Sequence, residues 1–174
     1  SSLKPFFEPA GVAVIGASAN PRKLSFGIMR NLVSSTYAGG IYPVNPGAEK
    51  ILDKPGFSDI SAVPDPLELA VIALPAPVIA ETLEACGRRG VKAVIVISGG
   101  FKEVGEGGQA LEARCLEIIH RYGMRMIGPN CVGLMNLHNG LNTTFIHGVP
   151  DAGGIGFMAQ SGALTFGDFI TKSG

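Results

Sequence analysis

Five loops of the chain, each placed directly after a short apolar run, are built from small residues, hydroxyls, amides and prolines. They span residues 16–20, 45–47, 75–77, 98–100 and 129–130. Small residues let a ligand approach the backbone, and Ser and Asn side chains supply hydrogen bonds. These residue types favour the binding and positioning of a ligand, and no catalytic residue is assigned to this chain.

The first of these loops has features of a phosphate site. It follows the apolar run 11–16 and leads into a stretch with helical spacing from about Leu24 to Leu32. The free amides and the dipole at such a helix N-terminus favour a phosphate, and Arg22 and Lys23 add positive charge beside it. The full GxGxxG spacing is absent, so a plain tight turn stays an alternative on this motif alone.

The second loop narrows the choice of nucleotide. NAD sites usually place an acid at the end of the second strand, where it holds the ribose hydroxyls. Here that position is Val44-Asn45-Pro46, and the next acid is Glu49. NAD is therefore disfavoured, and Asn45 with nearby Lys50 suits a ribose that carries an extra phosphate.

The elements that must position these loops follow from the apolar pattern. The runs at 11–16, 40–44, 69–74, 94–97 and 124–127 are nearly continuous, which is typical of parallel strands buried on both faces. One helix is expected to follow Pro77 and to end near Gly87 or Gly90. Another, with helical spacing from 111 to 122, is expected to end at Gly123. The sequence thus predicts an α/β fold with a Rossmann-like doubly wound parallel sheet, whose loops converge on one edge.

The pattern changes after residue 130. Residues 1–130 are predicted to form the Rossmann-like domain, and 131–150 a loop-like connector. Ile155 to Ala159 is predicted to be a further strand, with Ser161 and Gly162 in the turn that precedes a helix. A lone strand–helix unit cannot bury its own faces, so 151–174 is interpreted as the incomplete start of a second domain.

The composition restricts the partners. Hydrophobic residues make up 46% of the 174 residues and charged residues 16%, which favours a large buried core. Lys plus Arg equals Asp plus Glu at 14 each, so no overall field attracts nucleic acid or an anionic membrane. No apolar run approaches transmembrane length, and three scattered cysteines favour neither a disulfide framework nor a metal site. We expect a soluble cytoplasmic protein.

Several short motifs occur in one order and carry a family resemblance. They are Ile15-Gly16-Ala17-Ser18, Tyr42-Pro43-Val44-Asn45-Pro46, Leu74-Pro75-Ala76-Pro77, Ile97 to Glu103, Gly128-Pro129-Asn130-Cys131, and Gln160 to Leu164. From about Phe7 onward the chain resembles the N-terminal part of the nucleoside-diphosphate-forming acyl-CoA synthetases. That family includes the ADP-forming acetyl-CoA synthetases and the alpha subunit of succinyl-CoA synthetase. The resemblance implies a CoA-binding domain followed by a flavodoxin-like domain.

The resemblance also implies a ligand, coenzyme A, and roles for individual residues. By this resemblance, the residues that would hold the CoA phosphates are Gly16, Ala17, Ser18 and Ala19. The adenosine would lie along Val44, Asn45, Pro46 and Gly47. The residues that would line the nucleotide and pantetheine path are Pro75, Ile97, Ser98 and Gly99. Ser161 and Gly162 would open a helix whose N-terminus faces a phosphorylated histidine, which lies well downstream in the family. Many relatives carry Lys where this chain has Gly47, so Lys50, Arg22 or Lys23 would substitute at the CoA 3′-phosphate.

The whole enzyme implied by this resemblance makes acyl-CoA from a carboxylic acid, CoA and a nucleoside triphosphate, through an acyl phosphate and a phosphohistidine. An ATP-grasp region in a C-terminal part or a partner subunit would complete it, and this chain alone would not be catalytic. Two alternatives stay open: a regulatory CoA-binding module of a protein lysine acetyltransferase, and a NAD-binding redox domain. A homo-oligomer is also compatible with the apolar surface that an incomplete second domain would leave.

Most other reactive side chains have a structural or solvent-exposed interpretation. Asn130 is either a polar ligand contact or a turn cap. Cys131 is interpreted as buried filler, and Lys102 and Glu103 as a solvated loop tip. The histidines at positions 120, 138 and 147 match no catalytic position of the family.

Overall fold

The centre of the structure, a computed structural model that describes residues 3–162, is a parallel β-sheet. Its strands are β1 Gly11–Ile15, β2 Gly40–Val44, β3 Leu69–Ile72, β4 Ala93–Val96 and β5 Arg125–Ile127. They stand in the order β2-β1-β3-β4-β5, and each neighbouring pair is parallel. β1, β3 and β4 are buried at every position, as expected for continuous apolar runs between two layers.

Helices cover both faces of this sheet. They are α1 Lys4–Phe7, α2 Leu24–Val33, α3 Ile79–Arg89 and α4 Glu106–Arg121. Alternate residues of β1 face opposite layers: Val12 and Val14 pack in the core on the α2 side, and Ala13 and Ile15 pack in the core on the side of α3 and α4. This arrangement confirms the doubly wound α/β fold predicted from the sequence.

α3 and α4 end close to the glycines that the sequence predicted as their C-terminal limits. Gly90 adopts a left-handed backbone with φ +83° directly after α3, and its N–H donates to the Gly87 carbonyl. Gly123, with φ +63°, follows the end of α4. The start of α4 was not apparent in the sequence because Gly107 and Gly108 lie in its first turn. Gly108 packs directly against the Phe101 carbonyl, where a Cβ would not fit.

The chain reverses its direction across the sheet between β1 and β3. β2 is added on one side of β1, and β3 is placed on the other side. The connection between them, residues 45–68, contains a 3₁₀ turn at Ile60–Ala62 and a parallel bridge from Phe57 to Val44, instead of a full helix. A groove is therefore left beside α3, next to the strand ends where open α/β sheets bind ligands.

The predicted connector contains a short hairpin. β6 Met135–Asn136 and β7 Leu141–Asn142 pair antiparallel. The Nδ2 groups of Asn136 and Asn139 both donate to the Phe7 carbonyl, at 2.9 and 2.8 Å, and so tie the hairpin to the N-terminal residues. The following residues, 143–147, run along α2.

The strand predicted for 155–159 is not formed in the part of the chain that the structure describes. Ile155 and Met158 are 85% and 97% exposed, and residues 155–159 form no ladder with any described strand. A β-strand needs a neighbour to exchange backbone hydrogen bonds, and an apolar run alone does not provide one. The helix expected after Gly162 lies outside the described residues.

Candidate functional site

The turn after β1 is shaped by Gly16. Its φ is +85°, and a Cβ at this position would lie 2.6 Å from the Ala73 carbonyl oxygen, so the turn requires glycine. The N–H groups of Gly16 and Ala17 donate to the Val44 carbonyl at 2.9 and 3.2 Å. These two amides join the ends of β1 and β2 and are therefore already used.

The segment from this turn to α2 provides the anion-binding features. Asn20 N–H donates to Ser18 Oγ at 3.2 Å, and Arg22 N–H donates to Asn20 Oδ1 at 2.9 Å. α2 then begins at Leu24 without a side-chain cap, and the positive end of its dipole lies here. Arg22 and Lys23 are exposed beside this helix end. Positive potential therefore concentrates at the start of α2 rather than at Gly16.

A cavity of about 610 Å³ occupies the groove beside α3, and we call it the α3 cavity. Its floor is apolar, and its rim carries hydroxyl, amide and guanidinium groups. Such a combination suits a flat heteroaromatic ring with a polar substituent. The residues that line it are Ile15, Gly16, Val44, Asn45, Pro46, Ser58, Asp59, Ile60, Ser61, Leu74, Thr82, Ala85, Arg88 and Arg89.

A second cavity of about 400 Å³ lies between the start of α2 and the ends of β3 and β4, and we call it the α2 cavity. Its lining combines two cationic side chains with apolar and hydroxyl residues: Arg22, Lys23, Leu24, Ser25, Ala73, Leu74, Pro75, Ile97 and Ser98. Leu74 lines both cavities, so the two adjoin at the end of β3. We refer to these two neighbouring cavities together as the cleft, and it lies near the point where the strand order reverses.

The loop at 98–100 is held in place by its neighbours. Gly100 N–H donates to Glu103 Oε1 at 2.6 Å, and Asn130 N–H donates to the Ser98 carbonyl at 3.0 Å. The backbone N–H groups of Gly100, Glu103 and Phe101 hold the pKa of the Glu103 carboxyl below its ordinary value. Glu103 is exposed, as predicted, but its carboxylate is bound to the loop instead of being free in solvent.

The comparison with known proteins bears directly on this cleft, because residues 10–136 match the model of a family described as a CoA binding domain. The chain belongs to the CoA binding domain family. The matched range contains the five strands of the parallel sheet and the residues that line the two cavities.

Curated relatives of this CoA binding domain include ADP-forming ligases. The chain is 46% identical over 163 residues to the alpha subunit of ADP-forming acetate–CoA ligase II of Pyrococcus furiosus, and the match covers 93% of this chain and 35% of that subunit. It is 43% identical over 162 residues to the ADP-forming acetate–CoA ligase of Methanocaldococcus jannaschii, covering 93% of this chain and 22% of that enzyme. The chain thus spans about a third or less of the length of these relatives.

Solved structures show the same fold. A crystal structure of a Pyrococcus horikoshii OT3 protein superposes with a TM-score of 0.90 at 46% identity, covering 95% of this chain and 38% of that one. A second structure is the dinucleotide forming acetyl-coenzyme A synthetase 1 of Ca. Korarchaeum cryptofilum in complex with phosphate and ADP. It superposes with a TM-score of 0.79 at 40% identity, covering 82% of this chain and 30% of that one. These likenesses confirm the family resemblance and the Rossmann-like fold.

The CoA binding domain brings most of the sequence-predicted residues to the cleft. Gly16, Val44, Asn45 and Pro46 line the α3 cavity, while the α2 cavity is lined by Arg22, Lys23, Pro75, Ile97 and Ser98. Other predicted residues line neither cavity: Ala17, Ser18, Ala19, Gly47, Gly99 and Asn130. Asn130 has a φ of +54°, a left-handed conformation that Asn adopts more readily than most residues, which favours its interpretation as a turn residue.

The residues that sequence reasoning missed come mainly from α3 and from the connection between β2 and β3. Thr82, Ala85, Arg88 and Arg89 lie on α3, and Ser58 to Ser61 form the opposite wall. Arg88 and Arg89 occupy the last turn of α3, where cations are common because they stabilise a helix end. Because cations are common at this position of any helix, nothing in the sequence indicated that these two arginines line a cavity.

Lys50, predicted as a substitute for the missing lysine at position 47, lies outside both cavities. Its Nζ forms an ion pair with Asp53 Oδ1 at 2.8 Å. Ser161 and Gly162 also lie outside the cleft. A Cβ on Gly162 would be 2.5 Å from Val132 Cγ2, so this residue packs against the connector.

His147 and Cys131, two of the remaining reactive side chains, make contacts within the fold and line neither cavity. His147 Nε2 contacts Arg30 Nη1 at 2.9 Å, and Cys131 Sγ donates to the Val96 carbonyl at 3.3 Å. Burial raises the pKa of the Cys131 thiol, as expected for a packing residue. Among residues 3–162 we find no group of three or more His, Cys, Asp or Glu residues placed to hold a metal. Over the same range, no helix combines the length and apolar character that crossing a membrane requires.

Proposed function

We propose that the chain binds coenzyme A along the cleft formed by the α3 and α2 cavities. The adenosine occupies the α3 cavity, the diphosphate lies at the cationic start of α2, and the pantetheine passes Pro75, Ile97 and Ser98. The observation that carries this proposal is that the two cavities adjoin at Leu74, one with an apolar floor and the other with two cations. This division matches the chemistry of a ligand with a heteroaromatic end, a charged middle and a flexible arm.

The chain is, on this proposal, the CoA-binding part of an acid–thiol ligase that forms acyl-CoA from a carboxylic acid, CoA and a nucleoside triphosphate. Support comes from the ADP-forming ligases among its relatives and from the part of their length that it spans. Its contribution is to hold and orient the CoA thiol, which lowers the entropic cost of the reaction. An ATP-grasp region and the phosphorylated histidine that Ser161 and Gly162 would face belong to other parts of the enzyme.

Further features of the whole protein remain predictions. They are the domain boundaries at 130 and 150, the cytoplasmic location, and a homo-oligomeric state. The acetyltransferase alternative gains no support, because the curated relatives described above are ligases.

The NAD alternative is disfavoured by the side chains of the α3 cavity. The end of β2 carries Asn45, and the acid that lines the cavity is Asp59. Asp59 Oδ1 accepts the Ser61 N–H at 2.7 Å and so stabilises the 3₁₀ turn. A NAD site instead needs a free carboxylate at the end of the second strand for the ribose hydroxyls.

Calorimetric titration of the chain with CoA, with NAD as the control ligand, tests the proposal. We expect CoA to bind and NAD not to bind. Leu74→Trp fills the place where the cavities adjoin and should weaken CoA binding at least about tenfold, or about 1.4 kcal/mol. Leu116→Trp, at a 41% exposed position of α4 outside the cleft, should leave the affinity unchanged. Binding of NAD in preference to CoA, or equal affinities of the two variants, would refute the proposed site.

A further inference from the structure

The charges of the α3 cavity point to a subsite for one more anionic group. CoA carries a phosphate on the 3′ position of its ribose, in addition to the diphosphate. A doubly charged phosphate in a partly apolar cavity needs a cation beside it, because an unpaired charge is costly to desolvate. Among the residues that the structure describes, the charged side chains lining the α3 cavity are those of Arg88, Arg89 and Asp59.

Arg89 is already engaged in the fold. Its Nη2 donates to the Val63 carbonyl at 2.8 Å and to Asp65 Oδ1 at 3.0 Å. The side chain is 21% exposed, so this guanidinium joins α3 to the chain before β3. Binding a ligand phosphate would require Arg89 to give up these contacts.

Arg88 is not neutralised in the same way. Its side chain is 65% exposed, and within residues 3–162 it forms a long ion-pair contact to Glu84 Oε2, at 3.9 Å. Glu84 is itself occupied, because it accepts from Arg121 Nη1 at 2.7 Å and from the Tyr122 hydroxyl at 2.8 Å. The Arg88 guanidinium therefore keeps its hydrogen-bond donors for a ligand. A guanidinium can hold a phosphate through two parallel hydrogen bonds.

The other cations near the cleft are less well placed. Lys50 is paired with Asp53 and lies outside both cavities, and position 47 is glycine. Arg22 and Lys23 line the α2 cavity, where the diphosphate would lie. On the basis of the proposed CoA site, we propose that Arg88 binds the 3′-phosphate and gives the chain its preference for CoA over dephospho-CoA.

Calorimetric titrations with CoA and dephospho-CoA test this role. Arg88→Gln should weaken CoA binding about tenfold and leave dephospho-CoA binding unchanged, since a charge-assisted bidentate contact is lost. Arg88→Lys should bind CoA more tightly than Arg88→Gln but more weakly than the wild type, because lysine keeps the charge but lacks the planar pair of donors. Lys50→Gln makes the same charge change outside the cavities and should alter neither affinity. The preference for CoA in the wild type should also shrink as salt is added.

The outcomes separate this inference from the proposed function. If Arg88→Gln weakens both ligands equally, the guanidinium contacts the shared adenosine and the 3′-phosphate role is refuted. If Lys50→Gln removes the preference and Arg88→Gln does not, the assignment to Arg88 is likewise overturned. If wild-type protein binds neither CoA nor dephospho-CoA, the proposed function itself fails, and this inference fails with it.

Discussion

At the scale of single residues, Glu103 shapes the loop at the end of the α2 cavity. Its Oε1 accepts the Gly100 N–H at 2.6 Å, and Ser98 in the same loop lines the cavity. Glu103→Ala removes this acceptor and frees the loop, so we expect CoA affinity to fall about three- to tenfold. Glu103→Gln keeps an oxygen acceptor and should lose less. Calorimetric titration measures both, and unchanged affinity in the Ala variant would contradict the loop-positioning role.

The same carboxylate predicts a pH dependence of stability. The pKa of Glu103 lies below its ordinary value of 4.5 because backbone N–H groups stabilise the charged form. A carboxyl with a lower pKa in the folded state stabilises the fold above its unfolded pKa, and this stabilisation is lost as the pH falls through the folded pKa. The wild type should therefore be more stable than Glu103→Gln at about pH 7, and the difference should shrink below about pH 4.5. Urea unfolding at several pH values measures it, and a difference that grows on acidification would count against this interpretation.

At the scale of elements, the packing of residues 143–147 on α2 depends on Asn31. Its Nδ2 donates to the Thr144 and Ile146 carbonyls at 2.7 and 2.8 Å, and the residue is 8% exposed. Gly27 allows this approach, since a Cβ there would lie 2.7 Å from the Phe145 carbonyl oxygen. Asn31→Ala leaves both carbonyls without this donor, so we expect the free energy of unfolding to fall by about 1–3 kcal/mol in urea titrations.

A matched variant at Ser34, the residue directly after α2, separates this contact from a general effect at the end of the helix. Ser34 Oγ donates to the Arg30 carbonyl at 2.7 Å, but at an exposed position. Ser34→Ala should therefore change the free energy of unfolding by no more than about 0.5 kcal/mol. Equal losses in the two variants would show that the loss of any side-chain hydrogen bond near the end of α2, and not the contact to residues 143–147, decides the result.

At the scale of the whole molecule, the cysteines report on opening of the core. Cys86 and Cys115 are buried, and burial raises the pKa of the Cys86 thiol to about 12. Since the thiolate is the reactive form, both must be exposed by unfolding before they react. A ligand at about 100 times its Kd lowers the unfolded population about 100-fold. Saturating acetyl-CoA, which has no free thiol to consume the labelling reagent, should therefore slow thiol labelling of Cys86 and Cys115 by that factor. Mass spectrometry follows the labelling, and NAD is the inactive control. Rapid labelling that acetyl-CoA does not slow would be inconsistent with this prediction.

Much of the fold could be predicted from local sequence. Runs such as Val94 to Ile97 are continuously apolar because both of their faces are covered, and a left-handed cap at Gly90 requires a residue without a Cβ. The strand predicted at 155–159 was wrong within the described residues, because an apolar run does not by itself supply a hydrogen-bonding neighbour. The hairpin β6–β7 was missed because its strands have two residues each, too few to show a periodicity.

The sequence by itself determined the layer architecture, the glycine turn after β1 and the small polar loops at the strand ends. These features depend on residues close together in the chain, where periodicity and backbone restrictions act directly. Only the tertiary structure decided that the Gly16 and Ala17 amides are used by Val44, and that Lys50 is paired away from the cleft. The tertiary structure also decided that Arg88 lines a cavity. This cavity exists because the 45–68 connection has no full helix that would pack beside α3. Contacts between distant segments follow from packing, which local sequence patterns do not encode.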